Sequence, residues 1–124
     1  MASVRQVQVT FDCAEPERVA AFWAEVLGYV VHPDYASVCM DPAGVGPRLY
    51  FQKVPEGKVA KNRVHLDVRV GTGLVGEQRL AALEAECARL IPLGAVRGQL
   101  LLADEENESC QVMQDIEGNE FCLD

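Results

Sequence analysis

The sequence predicts an α+β fold built from two copies of one β-α-β-β-β module, and three observations carry that reading. An alternating strand and a helix ending in Leu27-Gly28 return later as an alternating strand and a helix ending in Leu93-Gly94. Short strand-like runs, separated by turn residues, follow each helix. A polar, turn-rich stretch, Pro55-Glu56-Gly57-Lys58-Val59-Ala60-Lys61, separates the halves. Self-similarity at this long period marks a repeated supersecondary unit. The expected organisation is therefore one domain with module one at about 5–54, a linker at 55–62 and module two at about 63–124. Two halves imply a cavity between them.

The first strand is expected over Arg5 to Asp12, where Val7, Val9 and Phe11 alternate with Gln8, Thr10 and Asp12. One face then meets a helix and the other is polar. Pro16 is pre-set for the first helical turn, with Glu15 and Glu17 near the positive end of the helix dipole. Val19, Phe22, Trp23, Val26 and Leu27 recur at three- and four-residue steps and form one apolar stripe. Gly28 supplies the left-handed residue that ends the helix. Trp23 on that stripe reads as core. Three short strands follow at about Tyr29 to His32, Ala36 to Met40 and Arg48 to Val54, punctuated by proline- and glycine-containing turns. His32, beside Pro33, reads as solvated.

The second module opens with a strand over Arg63 to Val70, where Val64, Leu66, Val68 and Val70 alternate with His65, Asp67 and Arg69. Its helix is expected over Glu77 to Leu90, burying Leu80, Leu83, Cys87, Leu90 and Ile91, with Pro92 as a stop. Strands at Gln99 to Ala103, Cys110 to Asp115 and Glu120 to Leu123 complete the set. An acidic loop over residues 104–109 and a tight turn at Glu117-Gly118-Asn119 join them as antiparallel hairpins. Gly71-Thr72-Gly73-Leu74-Val75-Gly76 matches a dinucleotide-binding fingerprint between a strand and a helix. No acidic residue ends a strand about 20 residues further on to hold a ribose, and the hairpins are not parallel crossovers, so the segment reads as a flexible connector.

At 124 residues the chain is long enough to bury roughly two-thirds of its unfolded surface without staples. A net charge of −8 disfavours nucleic acid as a partner and serves solubility. Five cysteines, none spaced as a zinc knuckle, read as reduced thiols, which points to the cytoplasm. No apolar run approaches the roughly 18 residues of a membrane span, and strand alternation begins almost at once, so neither export nor anchoring is expected.

The runs Phe22-Trp23-Ala24-Glu25-Val26-Leu27-Gly28-Tyr29, Lys61-Asn62-Arg63-Val64-His65-Leu66-Asp67-Val68 and Gly118-Asn119-Glu120-Phe121-Cys122-Leu123 resemble the glyoxalase-like branch of the vicinal oxygen chelate superfamily (glyoxalase/bleomycin resistance/dioxygenase-like). The resemblance spans the whole chain. It implies paired β-α-β-β-β modules whose curved sheets enclose a cavity, as in the glyoxalase/dihydroxybiphenyl dioxygenase-like fold, and it implies a homodimer. Metal-dependent members place four ligands in that cavity. By resemblance those places fall on Gln8 and His65 in the first strands, and on Cys122 and either Tyr50 or Gln52 in the last strands. The family's usual set is His or Gln with two Glu. A hard octahedral ion wants carboxylate oxygens that these last-strand positions lack. Glu120 and Asp124 flank Cys122 at period-two spacing, and Cys122 with His65 would suit zinc. The expectation is no classical divalent site, with zinc, nickel, manganese or iron as the ions to test.

His65 is the leading candidate for a working residue, because a neutral imidazole can take a proton from a carbon beside a carbonyl. Asp67, two residues on along the same face, is its candidate partner, and Asp67 pairing instead with Arg69 or Arg63 would make it structural. A hydrogen-bonded structural imidazole is the plain alternative for His65. Cys122 reads as a buried, unreactive thiol rather than a nucleophile. Gln8, Thr10, Asp12, Tyr50, Gln52, Glu120 and Cys122 are expected to line a small-molecule site. Two functions fit: a lyase or isomerase acting on a small oxygenated metabolite, or a protein that sequesters a ligand without chemistry, as drug-resistance members of the superfamily do.

Overall fold

A computed structural model describes residues 2–124. The chain divides into two compact units, Met1–Gly57 and Lys58–Asp124. In the first, β1 (Gln8–Cys13) leads into α1 (Pro16–Leu27), then β2 (Val30–Val31), β3 (Val38–Met40) and β4 (Arg48–Lys53). The sheet order is β1-β4-β3-β2. Strands β1 and β4 run parallel, with Gln8 opposite Arg48, Thr10 opposite Tyr50 and Asp12 opposite Gln52. The second unit repeats this topology. It comprises β5 (Asp67–Val68), α2 (Gly76–Leu90), a 3-10 turn (Ile91–Leu93), β6 (Val96–Leu101), β7 (Cys110–Gln114) and β8 (Glu120–Leu123) in the order β5-β8-β7-β6. The result is α+β: two four-stranded mixed sheets, each with one long helix.

Local rules explain α1 closely. Pro16 occupies its first turn, and Gly28 ends it at φ 69°, donating its N–H to the Ala24 carbonyl. The apolar stripe is buried, with Trp23 1% exposed. Trp23 packs on Phe11 at 5.2 Å between ring centroids, and Phe11 on Phe51 at 5.1 Å. Trp23 is therefore core, and truncating it to Ala would cost about 3–5 kcal/mol. In the second unit Leu83, Cys87 and Leu90 of α2 are buried, as are Met113, Phe121 and Leu123 of β7 and β8. All five cysteines are free thiols.

Several sequence expectations are corrected. Strand β1 begins at Gln8, not Arg5, because Gln8 is the first residue paired with β4, and Val7 is 68% exposed. His32 is held in place: its Nδ1 accepts the Asp34 N–H at 3.0 Å and its ring stacks on Tyr35. The strand expected over Arg63 to Val70 contracts to Asp67–Val68, because the ladder extends only as far as β8 supplies partners. Before it the Leu66 carbonyl still accepts the Cys122 N–H, but Arg63 and Val64 form a bend, and Val64 is 80% exposed. Strand β6 lies at Val96–Leu101 rather than Gln99 to Ala103. It starts just after Gly94, and a register shift between Arg97 and Leu100 breaks the alternation that framed the expectation.

Ile91 is 40% exposed, having left the α2 stripe where the backbone tightens into the 3-10 turn. The pairings are not all antiparallel, since β1 with β4 and β5 with β8 are parallel. The Gly71–Gly76 segment, expected as a flexible connector, is held at its first residue. The Gly71 N–H donates to the Asp124 carbonyl, and the Gly71 carbonyl accepts Arg79 Nη1 at 2.9 Å. A Cβ at Gly71 would meet Arg79 Nη1 at 2.9 Å, so this glycine makes room for an arginine. Among the described residues, no helix is long and apolar enough to cross a membrane.

Candidate functional site

The second unit gathers His65, Asp67 and Cys122. Extended backbone places side chains two residues apart on one face, so His65 and Asp67 project together. Register places Cys122 of β8 directly opposite Asp67 of β5. One donor atom from each lies within 4.8 Å of the other two. His65 Nε2 stands 3.2 Å from Asp67 Oδ1, with the two side chains 42% and 48% exposed. Arg69 does not compete for Asp67. Its Nε sits 2.8 Å from Asp124 Oδ1, a charge contact off the hydrogen-bonding direction, since that buried oxygen accepts no hydrogen bond.

Cys122 is buried, and its pKa is pushed up to about 12, first by desolvation and then by Cys110, Asp67 and Asp124. Burial raises the neighbouring Cys110 thiol too. A neutral thiol is a poor nucleophile. Glu120 is already engaged. It accepts from Lys58 Nζ at 2.7 Å and from the Asn62 N–H at 3.1 Å, and Lys58 first among its partners holds its carboxyl below the usual range. Its work is to pin residues 58–62 to β8.

The first unit gathers the other expected residues along one face of the β1–β4 pair. Thr10 lies across from Tyr50 and Asp12 across from Gln52. Gln8 Nε2 donates to Thr10 Oγ1 at 3.3 Å, and Gln8 Oε1 accepts Arg48 Nε at 2.8 Å. Sequence reasoning missed Arg48 and Cys110. Arg48 shares the period-two face of Tyr50 and Gln52, a readable signal. Cys110 becomes a neighbour of Cys122 only through the β7–β8 register, which no local pattern reveals.

These donors do not fit the hard octahedral ion of the family's metal-dependent members. Gln8 offers one amide oxygen, and it is taken by a guanidinium whose charge repels a cation. The last-strand corner is a thiol held neutral. The sulfur, imidazole nitrogen and carboxylate of Cys122, His65 and Asp67 fit zinc's preferences instead.

Residues 8–123 match the family model described as "Glyoxalase-like domain". Solved structures share the fold. The fosfomycin resistance protein FosX from Mesorhizobium loti has 14% identity and a TM-score of 0.67, over 99% of this chain and 92% of that one. A glyoxalase/bleomycin resistance protein/dioxygenase family enzyme from Burkholderia phytofirmans PsJN has 15% identity and a TM-score of 0.69, over 94% of each chain. Oxidase ChaP-H2 has 16% identity and a TM-score of 0.59, over 98% of this chain and 93% of that one. No curated protein matches by sequence. Relatives of this fold thus include fosfomycin resistance proteins and oxidases. The duplicated β-α-β-β-β topology and the match across nearly its whole length establish that the chain belongs to the glyoxalase-like domain family of the vicinal oxygen chelate superfamily.

Proposed function

We propose that this protein is a lyase or isomerase that moves a proton at a carbon beside a carbonyl in a small oxygenated metabolite, using His65 as acid and base. The observation that carries this reading is the 3.2 Å contact between His65 Nε2 and Asp67 Oδ1. Asp67 stands beside Nε2 as a charge partner, so its carboxylate favours a proton on that nitrogen and leaves the Nδ1 lone pair as the base. When Nδ1 takes the substrate proton, the C–H electron pair moves into the adjacent carbonyl as an enolate. The imidazolium that forms is stabilised by the Asp67 carboxylate beside it. Return of the proton to the same or a neighbouring carbon gives exchange or isomerisation. Cys122, neutral at the back of the pair, supplies a small dry wall rather than a nucleophile.

One observation favours a second reading. The three donor atoms within 4.8 Å of one another are a set that holds zinc, which would supply Lewis-acid polarisation of a carbonyl oxygen. The experiment that tests the proposal incubates small ketones, aldehydes and 2-oxo acids with chelator-treated protein in heavy water and follows the C–H signals by proton NMR. Loss of a signal that depends on His65 supports it. Compounds that raise the melting temperature yet come back unexchanged would overturn it in favour of ligand sequestration.

A further inference from the structure

The first unit carries a feature of its own. A crevice of about 730 Å³ lies at the entry end of the β1–β4 pair, with Arg5, Val7, Gln8, Asp41, Val45 and Arg48 among its walls. Its charge is unusual for this chain. Acidic residues outnumber basic ones 19 to 11, and five arginines pair with a carboxylate: Arg18, Arg69, Arg79, Arg89 and Arg97. Among the described residues Arg5, Arg48 and Arg63 have no such partner, and two of those three line this one crevice.

Among the described residues that line it, Asp41 is the one acid, and its carboxylate is engaged by its own loop. Asp41 directs its carboxylate into its own loop, where Oδ1 accepts the Ala43 N–H at 2.8 Å and Oδ2 accepts the Gly46 N–H at 2.8 Å and the Val45 N–H at 3.2 Å. Arg48 is meanwhile oriented. Its Nε is fixed on Gln8 Oε1, which leaves the terminal nitrogens to offer a forked pair of donors, the geometry that matches two oxygens of one oxyanion. A protein with acids in excess has left two guanidinium groups unneutralised in one concave site and has tied back the nearest carboxylate.

We infer that this crevice binds a small organic oxyanion through Arg48 and Arg5. The inference goes beyond the proton-transfer reading and does not rest on it. The bound group is a carboxylate or a phosphoryl group, and Val7 and Val45 beside the arginines leave room for a short apolar body next to it.

The test titrates the full chain with malonate and with inorganic phosphate at constant ionic strength, following backbone amide shifts of residues 44–48 by NMR. Saturation by either probe is expected, with malonate tighter for a carboxylate site and phosphate tighter for a phosphoryl site. Arg48→Gln should weaken binding about tenfold or more, as expected for loss of a charged, forked contact. Arg63→Gln removes the same charge outside the crevice and should leave the affinity unchanged. Should Arg48→Gln fail to fold, Arg48→Lys keeps the charge and loses the fork, and Arg5→Gln leaves the Gln8 contact intact. Both should still weaken binding. Failure of both probes to saturate, or an equal loss in Arg63→Gln, would overturn the inference. Proton exchange at His65 is read separately, so either reading can fall alone.

Discussion

Arg79 is the charged side chain that sequence reasoning did not place in the interior, and replacing it with Met has a size that the structure sets. Its side chain is 5% exposed. Nη1 donates to the Gly71 carbonyl at 2.9 Å, and Nη2 and Nε donate to the Ser109 carbonyl at 2.9 and 3.2 Å. One guanidinium thus ties the loop before α2 to the loop before β7. The nearest carboxylate, Glu108, is 3.8 Å away and 60% exposed, so it adds at most about 1 kcal/mol. Met keeps most of the volume but leaves the Ser109 carbonyl without its donors, at about 1–3 kcal/mol, and the Gly71 carbonyl with only the Leu74 N–H, a loss of about 1 kcal/mol, both partly offset because a buried charge no longer has to be desolvated. Arg79→Met should therefore lose about 1–3 kcal/mol, and Glu108→Gln at most about 1 kcal/mol. At roughly 4 °C per kcal/mol for a chain of this size, Arg79→Met should melt about 4–12 °C lower. Urea denaturation followed by circular dichroism measures both variants. An Arg79→Met midpoint within error of the parent would refute the clamp.

Three further outcomes follow from named contacts. Burial pushes Cys39 up to about 11 and Cys122 up to about 12, so both stay protonated in the folded chain while the unfolded chain releases those protons from about pH 9. The folded state then holds more protons, and stability should fall as pH rises from about 9 through 11 and 12. Urea midpoints from pH 8 to 11 should show this slope, and Cys39→Ala with Cys122→Ala should flatten it; an unchanged slope would count against buried thiols. A Cβ at Gly46 would run into the Tyr29 hydroxyl, so Gly46→Ala should destabilise by about 1–3 kcal/mol and Tyr29→Phe should recover part of that in the double variant. Elemental analysis of protein purified without chelator should find no stoichiometric zinc, nickel, manganese or iron; stoichiometric zinc that disappears in His65→Ala would move the site to its second reading.

The elements that sequence reasoning located well are those specified by local chemistry. Pro16 and Gly28 bracket α1 because one presets a helical dihedral and the other adopts a left-handed one, with no distant partner needed. Glu120 to Leu123 was legible for a similar reason, since the turn before it is closed by Asp115 accepting the Glu117 and Asn119 N–H groups. What escaped depends on partners. Alternation over residues 63–70 suggests one extended strand, whereas the chain bends at Arg63, Val64 and Val70 and pairs with β8 only in between. The triple leucine at Leu100-Leu101-Leu102 carries no alternation, so the frame of β6 could not be read. At the site, spacing was enough for His65 with Asp67, and family resemblance added Cys122. Glu120 looked available because its captors, Lys58 and Asn62, lie about 60 residues away in sequence and reach it only in the fold. Arg79 looked like an exposed helical cation because the carbonyls it serves belong to loops before and well after it.

The account rests on the His65–Asp67 pair as a proton-transfer device. Solvent-hydrogen exchange at a carbon beside a carbonyl, measured with chelator-treated protein, tests it most directly. Exchange should survive chelation and the Cys122→Ser change, and should fall about 100-fold or more in His65→Ala. Exchange equally fast in His65→Ala, or abolished by chelation alone, would contradict it.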